Sequence, residues 1–97
     1  MLTQKKAIEV LRKDFPYIKG NYRVKKLGLF GSFVKGAQRR GSDVDILVEF
    51  EQPIGLFEFI DLEAHLKHLL GTKIDLVSKK ALKPYIGKHI TKEVVYI

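Results

Sequence analysis

Apolar and polar residues recur along this chain at spacings that predict a helix followed by a strand. Thr3 has a side chain suited to an N-cap, and apolar residues at helical spacing follow it to about Lys13. Pro16 and the Gly-Asn pair at 20–21 are expected to end this helix and to form a turn. The apolar run over 24–30 then predicts a strand.

The rest of the chain continues this alternation of helices and strands. The further predicted elements are a short helix over 33–38, a strand over 44–50, a helix over 56–70, a strand over 73–77, a helix over 84–93 and an extended segment over 94–97. Gly71 is expected to cap the helix over 56–70, because glycine readily adopts the left-handed conformation that ends helices. This order predicts an α/β (α+β) fold in which helices pack on a small mixed β-sheet.

Length and composition indicate that these elements form one globular domain. A chain of 97 residues with 45% hydrophobic and 30% charged residues is typical of a single compact core, so we expect one domain over 1–97. No apolar run approaches the roughly 18 residues of a membrane helix, and the N-terminus lacks the apolar stretch of a signal peptide. The chain also lacks cysteine, which excludes disulfides. These features predict a cytoplasmic protein without a membrane partner.

The net charge of +7 is distributed unevenly. Residues 1–42 hold eleven Lys and Arg against two acids, residues 43–75 hold eight acids against two Lys, and residues 76–97 hold five Lys against one Glu. Basic ends would fit a nucleic-acid-binding module, but that function does not explain an acidic centre. A metal–triphosphate site needs both signs, carboxylates for the cation and basic groups for the phosphates. Many of the lysines are also expected simply to be solvated on helix faces.

Two carboxylates lie at the start of the second predicted strand. Asp43 and Asp45 are two residues apart, so their side chains are expected to project from the same face. Adjacent carboxylates repel each other unless a cation lies between them. Oxygen ligands favour magnesium, manganese or calcium over zinc. The alternative is that Asp43 caps a turn and Asp45 faces solvent.

Two further features strengthen the metal hypothesis. Gly31-Ser32 follows a predicted strand and precedes a predicted helix, where backbone N–H groups and the Ser32 hydroxyl can donate to a phosphate. An ordinary capping turn is the alternative for this pair. Asp75 is a charged residue inside a short apolar strand, and a charge in such a place usually has a partner. Asp75 could instead face outward from an edge strand.

Together these residues form a specific pattern: Gly31-Ser32, an interval of ten residues, Asp43 and Asp45, and then Asp75 in a later strand. The pattern resembles the DNA polymerase β-like nucleotidyltransferase superfamily. Within it, the chain resembles the minimal nucleotidyltransferases encoded beside toxins of the HEPN (higher eukaryote and prokaryote nucleotide-binding) class. The resemblance covers nearly the whole chain, and its most specific segments lie over 29–32, 42–48 and 73–77.

The resemblance implies a polymerase β-like nucleotidyltransferase fold and a magnesium-dependent transfer of AMP from ATP. On this basis Asp43 and Asp45 are expected to chelate two Mg²⁺ ions that bridge the ATP phosphates. Asp75 is expected to share one ion and to help deprotonate the acceptor hydroxyl. Two ions about 3.5–4 Å apart would stabilise both the attacking and the leaving oxygen of an in-line displacement. Gly31 and Ser32 are expected to bind the β- and γ-phosphates.

Basic residues between these motifs are expected to contact the triphosphate as well. Arg39 and Arg40 are the predicted contacts, although spacing does not distinguish them from Lys35. The two histidines His65 and His68 lie three residues apart on a predicted helix, a spacing that some metal sites use. Without a nearby third ligand, they are expected to be exposed on the helix surface.

The resemblance also implies a protein partner. The acceptor in the family is a tyrosine of a cognate HEPN ribonuclease toxin, whose adenylylation silences it, so the chain is expected to be an antitoxin. Such short chains lack the acceptor-binding domain of larger relatives, and the acceptor is therefore another protein or a small molecule. Two alternatives remain: neutralisation of the partner by binding and occlusion without catalysis, or a basic nucleic-acid-binding module. The acidic centre argues against the latter, and the oligomeric state is left open.

Overall fold

The computed structural model describes residues 2–31, 43–82 and 93–97. Its elements are α1 Gln4–Tyr22, β1 Val24–Phe30, β2 Val44–Phe50, α2 Leu56–Leu70, β3 Ile74–Ser78 and β4 Val95–Tyr96, with one 3-10 turn at Lys79–Ala81. The strands form a mixed sheet in the order β3-β2-β1-β4. β2 pairs with β3 in parallel, and β1 pairs antiparallel with both β2 and β4. The predicted class, helices packed on a small mixed sheet, is confirmed.

Several predicted boundaries agree with the structure. β1, β2 and α2 have the predicted bounds, and the Thr3 hydroxyl accepts a hydrogen bond from the Lys6 N–H at 3.1 Å, as expected of an N-cap. Gly71 ends α2 with a positive φ of 68°. β3 begins one residue later than predicted, because Lys73 only accepts a hydrogen bond from the Val44 N–H before the ladder starts. The helix predicted over 33–38 and most of the helix predicted over 84–93 lie outside the described residues.

The prediction for the end of α1 was wrong. The helix does not stop near Lys13 but continues through Pro16 to Tyr22, and Arg23 ends it with a left-handed φ of 56°. A proline inside a helix removes one backbone hydrogen bond and costs about 3 kcal/mol. Packing offsets this cost, because Ile18 is fully buried and Tyr22 packs against the core. Burial of one such apolar side chain contributes about 1.5–3 kcal/mol.

The core lies between the two helices and one face of the sheet. The buried side chains that form it come from α1, α2 and three strands: Ala7, Leu11, Ile18, Val24, Leu27, Leu29, Val44, Ile46, Val48, Leu62, Leu66, Leu70 and Leu76. Alternate residues of a strand point to opposite faces, so Asp45, Leu47 and Glu49 lie on the face of β2 turned away from this core. Among the described residues, no helix is long and apolar enough to cross a membrane.

Candidate active site

The strand directions bring several predicted site residues to one end of the sheet. β1 runs antiparallel to β2, so its last residue, Phe30, lies opposite Asp45 near the start of β2. β3 runs parallel to β2, so Asp75 at its second position is in register with the same residue. Gly31 directly follows β1 and Asp43 directly precedes β2. Three carboxylates and one glycine therefore meet at this end of the sheet: Asp43, Asp45, Asp75 and Gly31. Asp45 and Asp75 are neighbours there although about thirty residues separate them along the chain.

Asp45 and Asp75 form a pair of carboxylates on neighbouring strands. Residues in register on parallel strands project from the same face, with the strands about 4.8 Å apart. Asp45 is half-buried, whereas Asp43 and Asp75 are exposed. Asp75 does lie on an edge strand, as the alternative interpretation of the sequence held, but it is directly beside Asp45. The strand pairing thus places a like charge beside Asp75, which repels it and is not the compensating partner that the sequence led us to expect.

The electrostatics of Asp45 reflect this crowding. Burial raises the pKa of the Asp45 carboxyl above its ordinary value, and the negative charges of Asp75 and Asp43 raise it further. Both causes disfavour the ionised form of Asp45, because the charge loses hydration and is repelled by its neighbours. A cation placed among these carboxylates would reverse the balance and favour ionisation.

Gly31 makes room for Asp45 at the end of β1. Its φ of +75° is in the left-handed region that side chains with a Cβ rarely adopt. A Cβ added to Gly31 would overlap the Asp45 carboxylate, with the oxygen Oδ2 as its nearest atom. The backbone conformation therefore favours glycine here, and any side chain at this position would displace the Asp45 carboxylate.

The donor chemistry of these residues fits Mg²⁺, which prefers carboxylate oxygens. Within 2–31, 43–82 and 93–97, however, no three His, Cys, Asp or Glu side chains converge closely enough to form a ready metal site. The assignment of Asp43, Asp45 and Asp75 as metal ligands therefore stays a prediction. The predicted phosphate contacts Ser32, Arg39 and Arg40 lie outside the described residues.

The prediction that both α2 histidines are exposed was wrong for His65. Its Nε2 lies 2.7 Å from the Asp14 carboxylate oxygen Oδ2, and both side chains are about three-quarters buried. The His65 ring also stacks on Tyr17, with centroids 5.1 Å apart, and packs beside Tyr22 at 5.6 Å. These partners lie on the part of α1 beyond its predicted end, which is why the sequence did not indicate them. His68 is exposed, as expected.

Sequence reasoning also missed an exposed group of apolar side chains on α2. Phe57 is 81% exposed and Ile60 is 47% exposed. Both positions fall outside the apolar stripe of α2, which runs through Phe59, Leu62 and Leu66 at helical spacing. Large apolar residues beside such a stripe were the available signal, since the helix cannot turn both sets toward one core.

A family model of the nucleotidyltransferase domain matches residues 5–97. The chain belongs to the nucleotidyltransferase domain family. This match confirms the nucleotidyltransferase domain that the Gly-Ser pair, the Asp-x-Asp motif and Asp75 led us to expect.

Relatives of this nucleotidyltransferase match it along its full length. It is 42% identical to the protein adenylyltransferase MntA of Thermococcus cleftensis, over all of this chain and 98% of that protein. It is 40% identical to a candidate protein adenylyltransferase of Methanocaldococcus jannaschii, over the whole of both chains.

Solved structures agree with the fold. A candidate minimal nucleotidyltransferase superposes with a TM-score of 0.80 at 28% identity, covering 93% of this chain and 92% of the other. A chain of a toxin–antitoxin complex with AMP-PNP superposes with a TM-score of 0.70 at 25% identity, covering 98% of this chain and 72% of the other.

Proposed function

We propose that this nucleotidyltransferase transfers AMP from ATP to a tyrosine hydroxyl of a cognate HEPN ribonuclease toxin, and that it acts as the antitoxin. The observation that carries the proposal is the Asp45–Asp75 pair, in register on neighbouring strands with Asp43 beside it and Gly31 against it. Adenylyl transfer to protein is the activity for which the relatives are named. A matched toxin–antitoxin complex contains AMP-PNP, whose phosphate chain resembles that of ATP.

We assign the roles of the site residues from the family resemblance, and their shared place at one end of the sheet supports the assignment. Asp43 and Asp45 would hold two Mg²⁺ ions, and Asp75 would share one of them. When bound, Mg²⁺ supplies positive charge that neutralises the phosphates and the developing charge of the transition state. Gly31 leaves room for the Asp45 carboxylate, so the backbone that follows β1 can approach a phosphate closely.

Basic and hydroxyl groups of the segment between β1 and β2 are the proposed phosphate contacts. We assign Ser32, Arg39 and Arg40 to the triphosphate, because the segment that holds them connects Gly31 to Asp43. Arginine suits this role, since its planar guanidinium donates two parallel hydrogen bonds to phosphate oxygens.

The proposed reaction is a single displacement at phosphorus. The tyrosine oxygen attacks the α-phosphorus of ATP, and the bond from that phosphorus to the oxygen leading to the β-phosphate breaks. The tyrosine proton passes to the Asp75 carboxylate, and diphosphate leaves. Asp75 is exposed on an edge strand, so a hydroxyl on a large acceptor can reach it without entering a closed cavity.

The experiment uses ATP labelled at the α-phosphate and the protein encoded beside this chain, which we expect to be a HEPN-domain toxin. Label should appear on a tyrosine of that protein when Mg²⁺ is present, and chelator should abolish the transfer. Asp43→Asn should remove transfer, whereas Glu9→Gln, which changes an exposed carboxylate on α1, should leave it unchanged. Transfer by Asp43→Asn within about tenfold of the parent, a barrier change of about 1.4 kcal/mol, would contradict the metal assignment.

The same variant separates catalysis from occlusion. If the antitoxin acts by adenylylation, Asp43→Asn should fail to silence the ribonuclease while remaining folded. If Asp43→Asn silences the ribonuclease as well as the parent does, binding without catalysis is the mechanism.

A further inference from the structure

Three large apolar side chains are exposed at the N-terminal end of α2. Leu56 is 71% exposed, Phe57 is 81% exposed and Ile60 is 47% exposed. We call these three residues the α2 patch. They lie within about one and a half turns of helix and on the side away from Leu62 and Leu66, which fill the core. Clusters of exposed apolar side chains on a small protein often mark an interaction site.

A groove continues the α2 patch toward the sheet. It has a volume of about 630 Å³, and Leu56 belongs to both the patch and the groove. Phe50, Ile54 and Phe59 supply further apolar parts of its lining. A convex patch beside an apolar recess can accept an anchoring side chain of a partner, which is where binding energy concentrates in protein interfaces.

Charge distinguishes this region from the rest of the chain. Residues 49–63 contain five acids and no Lys or Arg, although the chain as a whole carries a net charge of +7. Glu51, Glu58 and Asp61 are exposed near the α2 patch. Lys79 and Lys80 also line the groove. The Lys79 Nζ lies 3.8 Å from the Glu49 carboxylate, so the remaining positive charge is that of Lys80, against the three exposed acids. A complementary partner surface would therefore carry apolar side chains ringed by Arg and Lys.

We propose that the α2 patch docks the protein acceptor, through apolar side chains of the acceptor that are surrounded by basic ones. This inference rests on the proposed function. Asp45 lies near the start of β2, and the α2 patch lies just beyond the other end of this strand. The two places are therefore about one strand length apart, and a seven-residue strand spans roughly 20 Å. A folded protein can reach both places at once, whereas a small acceptor cannot. Docking at the α2 patch sets the affinity for the acceptor. The patch residues take no part in the chemistry, which belongs to the carboxylates at the other end of β2.

The experiment compares the parent with a Phe57→Ala/Ile60→Ala double variant. The probe is the protein encoded beside this chain, which the proposed function expects to be a HEPN-domain toxin. Phe57 is largely exposed and Ile60 about half exposed, and neither belongs to the buried core, so the variant should melt close to the parent. Tyr96→Ala is the matched control, because Tyr96 is a 36% exposed aromatic residue on the β4 edge of the sheet. The dissociation constant of the probe, its KM and kcat as acceptor, and the binding of magnesium–ATP are measured for each protein.

The double variant should bind the probe about thirtyfold or more weakly, the loss typical of interface hot spots. Its KM for the probe should rise by a similar factor, while magnesium–ATP binding stays unchanged. Asp61→Asn should weaken binding mainly at low salt and flatten its salt dependence, because screening already removes this attraction at high salt.

Other outcomes would overturn the proposal. Binding and KM of the double variant within about twofold of the parent would exclude the α2 patch as the docking surface, while label transfer by the parent would leave the proposed function intact. Concentration-dependent dimers of the parent that the double variant lacks would make the patch a contact between two copies of this chain. A parent that neither binds nor modifies the probe would overturn both the docking surface and the proposed function.

Discussion

Replacement of Asp45 by Asn should make the ligand-free protein more stable and reduce what it gains from magnesium–ATP. Asp45 is half-buried, lies in register with Asp75 and follows Asp43 by two residues. Without a cation, three negative charges meet at one end of the sheet, and their repulsion opposes folding. Asparagine keeps the shape of the side chain and removes the central charge.

The spacing of the strands gives the size of the effect. Two unit charges about 4.8 Å apart repel by about 0.9 kcal/mol at the dielectric constant of water and by about 3.5 kcal/mol at an effective value of 20. Asp75 is exposed, so water screens the pair and the lower end of this range applies. A stabilisation of about 1 kcal/mol should raise the melting temperature of a domain of this size by roughly 4–8 °C.

The pH dependence has a definite sign. Burial and the neighbouring carboxylates raise the pKa of Asp45 in the folded protein. The unfolded pKa of an Asp is about 3.9. A group whose folded pKa is raised stabilises the protein fully below its unfolded pKa and loses that contribution as the pH rises through the folded pKa. The parent and Asp45→Asn should therefore melt alike in acid, and the advantage of the variant should develop as the pH increases.

The assay is a set of melting curves of the parent and Asp45→Asn. The curves are recorded in chelator, from a pH below the unfolded pKa of Asp45 up to pH 7, and with magnesium–ATP at pH 7. Ligand at a hundred times its dissociation constant stabilises a protein by about 2.7 kcal/mol, and the variant should gain clearly less than the parent. Glu51→Gln controls for the loss of an exposed carboxylate. If Asp45→Asn melts lower than the parent in chelator and gains as much from magnesium–ATP, the side chain is structural and the reasoning is refuted. A structural role such as capping a turn predicts this lower melting temperature, because loss of a helix or turn cap destabilises a protein by about 1 kcal/mol.

Three further predictions follow from the structure. Asp75→Ala should lower the rate of transfer more than ATP binding, because its proposed role is at the acceptor hydroxyl; single-turnover rates and ATP affinity measured together test this, and equal losses would indicate a plain ligand. Gly31→Ala should destabilise by about 1–2 kcal/mol from the left-handed backbone alone, and should lose nucleotide binding as the Asp45 carboxylate is displaced; a variant with parental stability and ATP affinity would contradict the contact. Single and double substitutions at Asp14 and His65 should give a coupling energy of about 0.5–1.5 kcal/mol, measured by denaturant unfolding. Additive losses of stability would mean that the 2.7 Å contact between these side chains does not stabilise the packing of α1 on α2.

Local chemistry was enough to predict most of the secondary structure. The Thr3 cap, the β-branched run of β2 and the apolar stripe of α2 with Gly71 after it all depend on residues close together in the chain. α1 shows the limit of such reasoning. Pro16 is a strong local signal for a helix end, but burial of Ile18 and packing of Tyr22 against distant residues outweigh it.

The candidate site divides in the same way. The Gly-Ser and Asp-x-Asp motifs indicated the nucleotidyltransferase family from the sequence, since residue type and spacing alone carry that signal. Spacing and residue type alone could not place Asp75 beside Asp45; the family resemblance led us to expect it there, and the parallel pairing of β2 with β3 sets the register. The clash that a side chain at Gly31 would make with Asp45 likewise depends on β1 and β2 running antiparallel.

The sequence by itself therefore determined the element types of the described residues and the fold class, and it indicated which residues form the candidate site. The tertiary structure decided which carboxylates are neighbours, which histidine is buried, and which apolar residues of α2 remain exposed. The physical reason is that helix and strand propensities act over a few residues, whereas repulsion between Asp45 and Asp75, burial of His65 against Asp14 and exposure of Phe57 depend on contacts between elements far apart in the chain.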